Sequence, residues 1–404
     1  MSKLAARSTS IPGGVAVPRR PVGWRPALVT GLLGAVAFRA VAQAVAVIST
    51  MGSTAPARLI ADPLSWAWPW VQFDARWYVA IAEVGYTRLS PVLGGTIPAG
   101  ADVRLFGNGL YAYDGVAFPP LYPVLIRGVS ILTRLHPAAA AMVVGALCLA
   151  AGLVAVHRLA DMDHGPEVAR ATVLILLLFP AALFLAAPYA EPLLLMTLAW
   201  AFLCARTGRW WWSGIFLGAA ALTKVYAVIF VAALAVEAFE AVPGRVALRR
   251  LVALTVPTAI AAAAWMVYLQ ARFGDPLRFL TVQGYWHHRL APPWTSLAYA
   301  FATIYNDGRA LELTSLALLT VMTVYAFRRL RRAYAVAMLL SLVGYTVTYN
   351  IVSVNRFLVA LFPLFIALGL AWSRHTWVRV VLPAAFLPLS AFLLVGFAHG
   401  HWAG

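Results

Sequence analysis

Long apolar stretches recur along most of the chain, and they constrain its fold more than any other feature. Hydrophobic residues make up 62% of the sequence and charged residues only 11%, whereas a soluble domain carries about 25% charged residues. Apolar segments of about 17–25 residues can cross the hydrocarbon core as helices, while barrel strands would alternate over about 10 residues. The sequence therefore predicts an all-α fold, a polytopic transmembrane helical bundle.

We expect about eleven spans of the length that a bilayer requires, arranged in one transmembrane domain, residues 27–404. The preceding residues 1–26 are basic and lack the apolar core of a cleaved signal peptide, so they are interpreted as a cytoplasmic tail. The expected spans are residues 27–49, 138–157, 170–187, 191–205, 213–223, 225–241, 251–271, 311–327, 334–350, 357–373 and 379–398.

The interval between the first two spans, about residues 50–120, is long and rich in Pro, Gly and Trp. Structureless loops of this length are uncommon, so we expect short helices lying against the membrane surface or a functional lid. Residues 121–135 are apolar but short, and they contain Arg127 and Arg134. They form either a short span or a helix along the interface.

Basic clusters between the spans indicate the orientation. The net charge is +17, but this charge is concentrated in short segments such as Arg328–Arg332, so no nucleic-acid partner is expected. With residues 121–135 along the interface, a cytoplasmic N-terminus places these clusters in the cytoplasm, as the positive-inside rule requires. The long first loop is then external. A composition high in Ala and Arg and low in Lys suggests a bacterial plasma membrane.

This orientation gathers the candidate functional residues on the external side. Asp74 begins an aromatic-rich amphipathic helix, and Lys224 ends a span too short to cross 30 Å of hydrocarbon, so it lies in a recess. The candidate site residues are Asp74, Arg76, Tyr78, Tyr122, Tyr189, Glu191, Lys224, His287, Arg289 and Arg356.

These residue types suit one chemistry in particular. Cations at the headgroup level attract a lipid phosphate, aromatic rings suit isoprenoid chains and sugars, and a carboxylate can deprotonate a hydroxyl. Inverting sugar transfer from a polyprenyl phosphate needs only these groups, because phosphate leaves as an anion. Glycoside hydrolysis would instead use two carboxylates flanking the bond. No residue spacing resembles a metal site, so neither metal nor cofactor is expected.

Several candidates also have a purely structural interpretation. Asp74 could cap the helix that follows it, and Glu191 could interact with the positive end of a helix dipole. Lys224 and Arg356 could extend toward lipid headgroups, and His287 could be an interfacial residue. These alternatives stay open on the sequence alone.

An ordered series of motifs resembles the PIG-V-like mannosyltransferases, membrane glycosyltransferases of the GT-C group, over most of residues 65–370. The motifs are Phe73-Asp-Ala-Arg-Trp-Tyr78, Ala117-Phe-Pro-Pro-Leu-Tyr-Pro123, Ala187-Pro-Tyr-Ala-Glu191, Ala221-Leu-Thr-Lys224 and Ser353-Val-Asn-Arg356. The resemblance implies a GT-C bundle, a mannose donor on a polyprenyl or dolichyl phosphate, external chemistry and no metal. It also implies that Asp74 is the catalytic base.

The leading hypothesis is therefore a polyprenyl-phosphate-mannose-dependent transferase, embedded in membrane lipids, with a lipid-linked or glycan acceptor. Arg356, Lys224, Arg289 and His287 would bind the donor phosphate. One alternative is a transporter of lipid-linked sugars, for which ionisable residues near the midplane and internal repeats would be typical. Another is a GT-C transferase of a different sugar, such as an arabinofuranosyl or glucosyl unit.

Overall fold

Helices account for nearly all of the regular structure in the computed structural model, which describes residues 23–51, 64–89, 115–242, 244–286, 289–304 and 309–404. Within these ranges, strand-like pairing is limited to one isolated bridge between Leu290 and Thr348. The predicted all-α class is confirmed. Residues 1–22 of the expected tail and two parts of the first loop, residues 52–63 and 90–114, lie outside the described residues.

The helices alternate between long segments and short, broken ones. They are α1 (Trp24–Thr50), α2 (Asp74–Val84), α3 (Leu121–Thr133), α4 (Pro137–His164), α5 (Pro166–Leu178), α6 (Leu183–Ala186), α7 (Glu191–Arg206), α8 (Trp210–Ala221), α9 (Phe230–Ala241), α10 (Arg245–Phe273), α11 (Arg278–Thr281), α12 (Pro293–Ala302), α13 (Ala310–Arg329), α14 (Arg332–Thr346), α15 (Val354–Leu358), α16 (Phe362–Arg374) and α17 (Thr376–Ala398). Short 3-10 turns cover Trp68–Trp70, Tyr86–Arg88, Gly115–Ala117, Pro180–Ala182, Val225–Ile229 and Val282–Trp286.

The protein is an integral membrane protein with several spanning helices. By length and composition, α1, α4, α10, α13 and α17 can each cross a membrane, and α5 with Pro180–Ala186 makes a sixth span if that bent pair counts as one. The other expected spans are shorter or interrupted helices; residues 213–241, for example, divide into α8, a 3-10 turn and α9. Such breaks are tolerated at membrane depth where protein surrounds the backbone.

Helix α4 forms the centre of the bundle. In its most apolar window 72% of the residues are buried, compared with 22% in α1 and α10 and 17% in α17. It packs against α1, α3, α5 and α7. The peripheral helices leave apolar side chains exposed, such as Leu33 and Val380, as helices that face lipid must.

Glycines allow the closest helix crossings. A Cβ on Gly31 of α1 would lie 2.8 Å from the backbone nitrogen of Val154 in α4, and one on Gly214 of α8 would lie 2.5 Å from the carbonyl oxygen of Ala253 in α10. No real Cβ tolerates such distances. These contacts follow the general use of small residues where membrane helices cross.

Helix α3 is too short to be a full membrane span. Its 13 residues extend about 20 Å, which is less than the hydrocarbon thickness. Tyr122 and Ile126 are buried, whereas Ile131 and Leu132 are 69% and 85% exposed. This two-sided character favours the interfacial alternative for residues 121–135.

Several chain breaks converge on one end of the bundle. The chain bends by 75° between α5 and the Pro180–Ala186 segment, where Phe179 is extended before Pro180, as residues preceding proline usually are. At the end of α8, the carbonyl of Leu222 accepts a hydrogen bond from the Leu121 N–H at 3.0 Å. Lys224, just beyond, is fully extended. Of the candidate residues, Lys224 and Tyr122 lie next to these breaks.

Candidate active site

Asp74 lies at the start of α2 but does not cap it. Phe73 occupies the cap position without a side-chain cap hydrogen bond, and its φ of 48° is rare for a non-glycine residue. Such backbone outliers cost about 1–3 kcal/mol and cluster at functional sites. The Phe73 ring is held against Trp402 and Phe397, with centroids 4.9 and 6.0 Å away. The capping interpretation of Asp74 is therefore wrong, since its carboxylate faces Arg356 instead.

Four charged side chains form a continuous chain of ion pairs, here called the charge cluster: Asp74, Glu191, Lys224 and Arg356. Oδ2 of Asp74 lies 2.6 Å from Nη1 of Arg356. Oε1 of Glu191 lies 3.3 Å from Nε of Arg356 and 3.8 Å from Nζ of Lys224. The structure thus brings together residues from four separate segments, with two anions and two cations alternating.

Burial differs sharply along the charge cluster. The Glu191 side chain is 1% exposed and that of Arg356 is 6% exposed, while Lys224 reaches 13% and Asp74 19%. Buried ions require paired counter-ions, because the loss of hydration is otherwise too costly. Glu191 supplies that counter-charge to both cations from the first residue of α7. Asp74 is the member most accessible to a ligand.

A second strained turn positions Arg356. Ser353 has a φ of 71° and precedes the short helix α15. Oδ1 of Asn355 accepts a hydrogen bond from the Arg356 backbone N–H at 2.7 Å, and its Nδ2 donates to the carbonyl of Ala403 at 3.2 Å. This fully buried amide fixes the turn from which the guanidinium projects.

Aromatic rings surround the Arg356 guanidinium. Its carbon lies 4.9 Å from the ring centroid of Phe357, 5.3 Å from Trp402, 5.5 Å from Tyr189 and 5.6 Å from Phe184. Ring faces attract a cation within about 6 Å. Burial alone would lower the pKa of Arg356, but the neighbouring Asp74 and Glu191 carboxylates raise it above its usual value. The Arg356 guanidinium therefore stays protonated.

Lys224 lies in the break between α8 and the following 3-10 turn. Its Nζ is 5.6 Å from the ring centroid of Phe357 and 5.9 Å from that of Tyr78. Burial lowers the pKa of Lys224, although the adjacent Glu191 opposes this shift. Lys224 is consequently the cation of the charge cluster that can lose its proton, and with it its charge, at high pH.

The three predicted tyrosines line the same region. The Tyr189 hydroxyl donates to the carbonyl of Gln72 at 3.1 Å, which holds the turn before α2, and the Tyr122 hydroxyl donates to Ala141 at 3.1 Å. Burial raises the pKa of Tyr78 well above its usual value, so this phenol stays neutral. Its hydroxyl has no hydrogen-bond partner among the described residues. These tyrosines line the site, and the Tyr78 hydroxyl remains available to donate a hydrogen bond.

Two other candidates, Arg76 and Arg289, lie apart from the charge cluster. Nη2 of Arg76 donates to Oε1 of Gln72 at 3.1 Å, so this side chain braces the loop before α2. The Arg289 guanidinium lies over the ring of Tyr349 at 4.1 Å and does not join the ion pairs. His287 lies outside the described residues, so its predicted role stays a prediction.

Sequence reasoning missed four residues that contact the charge cluster: Phe184, Asn355, Phe357 and Trp402. Asn355 lies inside the Ser353–Arg356 motif and Phe357 directly follows it, so their positions offered a local signal. Phe184 and Trp402 are ordinary apolar residues in sequence, and only packing identifies them. Across the described ranges, no group of three or more His, Cys, Asp or Glu side chains is placed to hold a metal ion; the expectation of a metal-free site stays a prediction.

No protein-family model and no curated protein matches this chain. Among solved structures, ArnT from Cupriavidus metallidurans bound to undecaprenyl phosphate is similar at 16% identity and TM-score 0.45, over 70% of this chain and 66% of that one. The Archaeoglobus fulgidus oligosaccharyltransferase tethered to an acceptor peptide is similar at 13% identity and TM-score 0.47, over 92% and 55%. The chain thus spans between half and two thirds of these proteins' lengths.

Proposed function

We propose that this protein is an inverting glycosyltransferase of the GT-C group, which transfers mannose from polyprenyl-phosphate-mannose to a lipid-linked or glycan acceptor at the external face of the membrane. The observation that supports this most is the arrangement of the charge cluster. One partly exposed carboxylate, Asp74, pairs with the buried cation Arg356, and a second cation, Lys224, shares the carboxylate of Glu191 with Arg356. Inverting transfer from a phosphate requires a base and phosphate-binding cations next to each other, and these residues supply both.

The donor phosphate binds Arg356 and Lys224 in this proposal. A guanidinium can bind phosphate oxygens through two parallel hydrogen bonds, and the buried surroundings strengthen the attraction. Without donor, Arg356 pairs with Asp74 at 2.6 Å. A phosphate that takes over this guanidinium therefore releases the Asp74 carboxylate for the acceptor. Among the rings around Arg356, Trp402 is exposed and Phe357 is partly exposed, and these two provide apolar surface for the isoprenoid chain and the sugar.

The reaction is a single displacement. Asp74 takes the proton of an acceptor hydroxyl, and the hydroxyl oxygen forms a bond to sugar C1 on the face opposite the phosphate. The bond between C1 and the phosphate oxygen breaks, both of its electrons leave with the phosphate, and the configuration at C1 inverts. Arg356 and Lys224 stabilise the negative charge that develops on the leaving group. Alignment of the two substrates supplies much of the remaining acceleration.

Replacing Asp74 with asparagine tests the base directly. Asp74→Asn keeps the side-chain shape but cannot accept the proton, so we expect turnover to fall at least about 100-fold, the lower end for loss of a general base. The measurement is product formation by purified protein in detergent with radiolabelled polyprenyl-phosphate-mannose. Glu167→Gln, the same change at a side chain that is 66% exposed, serves as the control and retains activity.

Two results would contradict the proposal at different points. Full turnover by folded Asp74→Asn protein would rule out Asp74 as the base. Absence of any new glycosidic bond with mannosyl, glucosyl or arabinofuranosyl donors, and with the acceptors of a membrane extract, would favour the transporter instead, since a transporter moves its substrate without making a bond. If only a non-mannosyl donor gives a product, the proposed sugar is wrong but the protein is still a glycosyltransferase.

A further inference from the structure

The segment that follows α17, residues 399–404, turns back onto the charge cluster; it is here called the strap. Gly400 has a φ of 84°, a left-handed conformation that glycine adopts readily and that commonly ends a helix. The His401 N–H donates to the carbonyl of Gly396 at 2.9 Å, the hydrogen bond expected for such a helix end. The chain therefore reverses direction after α17 and returns toward the charge cluster.

The ring of Trp402 in the strap contacts both segments that carry the charged pair. Its centroid lies 4.9 Å from that of Phe73, in an edge-to-face arrangement, and 5.3 Å from the guanidinium carbon of Arg356. Phe73 directly precedes Asp74 in the chain. One indole thus touches both the residue before the base and the cation that pairs with the base, although Asp74 and Arg356 are 282 residues apart in sequence.

Hydrogen bonds attach the strap to its surroundings independently of the indole. The carbonyl of Ala403 accepts from Nδ2 of Asn355 at 3.2 Å, and Oδ1 of the same amide accepts from the Arg356 N–H at 2.7 Å. Ala403 and Asn355 are buried, where the low local dielectric strengthens such a bond. At the start of the strap, Nε2 of His399 lies 3.1 Å from the carbonyl oxygen of Ser49 at the end of α1. The strap is therefore fixed at both of its ends.

The two turns next to the strap need support, because each contains a strained residue. Phe73 has a φ of 48° and Ser353 a φ of 71°, and they are two of the three non-glycine residues with positive φ in the described ranges. Such conformations persist only where the surrounding structure holds them. The strap contacts the first turn through Phe73 itself and the second through Asn355. It therefore stabilises both turns.

We propose that the strap positions the base and the phosphate-binding cation relative to each other, with Trp402 as its positioning residue. The proposal rests on the proposed transferase function. The indole attracts the Arg356 guanidinium through a cation–π contact and packs against Phe73, so Asp74 and Arg356 keep the spacing that the displacement requires. Small misplacements of reacting groups reduce rates strongly, so loss of this contact lowers kcat.

Steady-state kinetics of two variants separate positioning from the apolar surface that Trp402 offers to the substrate. Trp402→Phe keeps an aromatic ring and retains a kcat close to that of the wild type. Trp402→Leu keeps apolar surface but loses the ring, so kcat falls about tenfold, equivalent to about 1.4 kcal/mol, while KM for polyprenyl-phosphate-mannose is unchanged. The matched control is Trp377→Leu near the start of α17, where the side chain is 64% exposed; both constants are unchanged in this variant.

Hydrogen exchange provides a second measurement, which needs no transfer reaction. The Arg76 N–H donates to the carbonyl of Phe73 at 3.1 Å, and the Phe357 N–H donates to that of Ser353 at 3.0 Å. Exchange at these amides reports local opening of the two turns. Followed by mass spectrometry on the full chain in detergent, it is faster in Trp402→Leu than in the wild type at both turns, whereas exchange in α4 is unchanged and shows that the variant is folded. The tryptophan control matches the wild type throughout.

Three results would overturn the role of the strap. Faster exchange confined to residues 396–404 would show that the strap holds neither turn. A higher KM with an unchanged kcat in Trp402→Leu would make the indole a substrate surface only. An equal fall in kcat for Trp402→Phe and Trp402→Leu would show that the aromatic ring is not what aligns the pair.

The two measurements also distinguish failure of the strap from failure of the transferase proposal. If no donor gives a product but both turns exchange faster in Trp402→Leu, the transferase proposal fails and the strap still aligns the turns. If the wild-type protein makes product and Trp402→Leu makes it equally fast, the strap does not position the reacting groups and the transferase proposal stands.

Discussion

Glu191 sets the charge balance on which the site depends. It has no exposed surface, and it contacts both Arg356 and Lys224. Two cations at such close range would repel each other in a buried site, and one shared carboxylate offsets that repulsion. The two cations are not interchangeable. The Arg356 guanidinium presents a planar fork to phosphate oxygens, while the Lys224 ammonium is a compact charge that can lose its proton.

The low pKa of Lys224 predicts an alkaline limit to activity. Because burial lowers this pKa, the ammonium loses its proton at a lower pH than a free lysine, for which the pKa is about 10.4. Donor binding should weaken as the pH rises through the lowered pKa of Lys224. In a profile of kcat/KM against pH, Lys224→Arg should remain active at higher pH than the wild type. An unchanged alkaline limb in this variant would exclude Lys224 as the titrating group.

Close crossings between helices hold the broken segments in place. Helix α8 is short and ends at the break that carries Lys224, so its position depends on the neighbouring α10. Gly214 permits that contact, because any side chain there would collide with the carbonyls of Ala253 and Leu254. The pattern of small residues is visible in the sequence, but the partner helix of each glycine is not.

Gly214→Ala should therefore destabilise the fold. The added methyl group must push α8 away from α10, and overpacking of this kind costs about 1–3 kcal/mol. Gly344→Ala is the matched control: it also lies within a helix, but nothing approaches the new Cβ within 4 Å, and alanine is favoured there by about 0.5–1 kcal/mol. Thermal unfolding in detergent, followed by tryptophan fluorescence, should give a lower Tm for the first variant only. Equal Tm values would show that α8 can shift freely.

A second buried ion network ties the helices together at the end of α7 opposite the charge cluster. Asp163 binds Arg206 at 2.8 Å and Arg331 at 2.9 Å, and Glu237 lies 3.2 Å from Arg206. Glu191 and Arg206 stand at the two ends of α7, about 24 Å apart for a helix of this length. The charge cluster therefore lies at the candidate active site. The Asp163 network, at the other end of α7, joins α4, α7 and α9 to Arg331, the residue before α14.

Asp163→Asn should separate stability from activity. It removes one of the two carboxylates that buried Arg206 and half-buried Arg331 share, since Glu237 also lies 3.2 and 3.4 Å from them. The cost is therefore at most the roughly 3–5 kcal/mol of breaking a buried pair outright. We expect a clearly lower Tm but normal turnover per folded molecule at low temperature, since the charge cluster is distant. Glu167→Gln should change the Tm little, because its pair with Arg379 is exposed. A loss of turnover without a loss of stability would instead place the Asp163 network in the catalytic cycle.

The sequence by itself determined the helical membrane class and the approximate position of many segments. The expected span 191–205 corresponds to α7, Glu191–Arg206, and the short span before Lys224 corresponds to α8. These features are local: apolar length decides whether a helix can span the membrane, and proline, glycine and charged residues mark where it stops. The first helix begins at Trp24 rather than at residue 27, because apolar runs locate helix ends only approximately.

Only the tertiary structure decided which breaks meet. Asp74 and Arg356 are 282 residues apart in the chain, and no local pattern couples them. Their contact depends on the packing of α4 against its neighbours and on the strained turns at Phe73 and Ser353. The same packing places the Trp402 ring centroid 5.3 Å from the Arg356 guanidinium carbon. A contact between distant segments is a property of the whole bundle, because each helix position is set by all the helices that it touches.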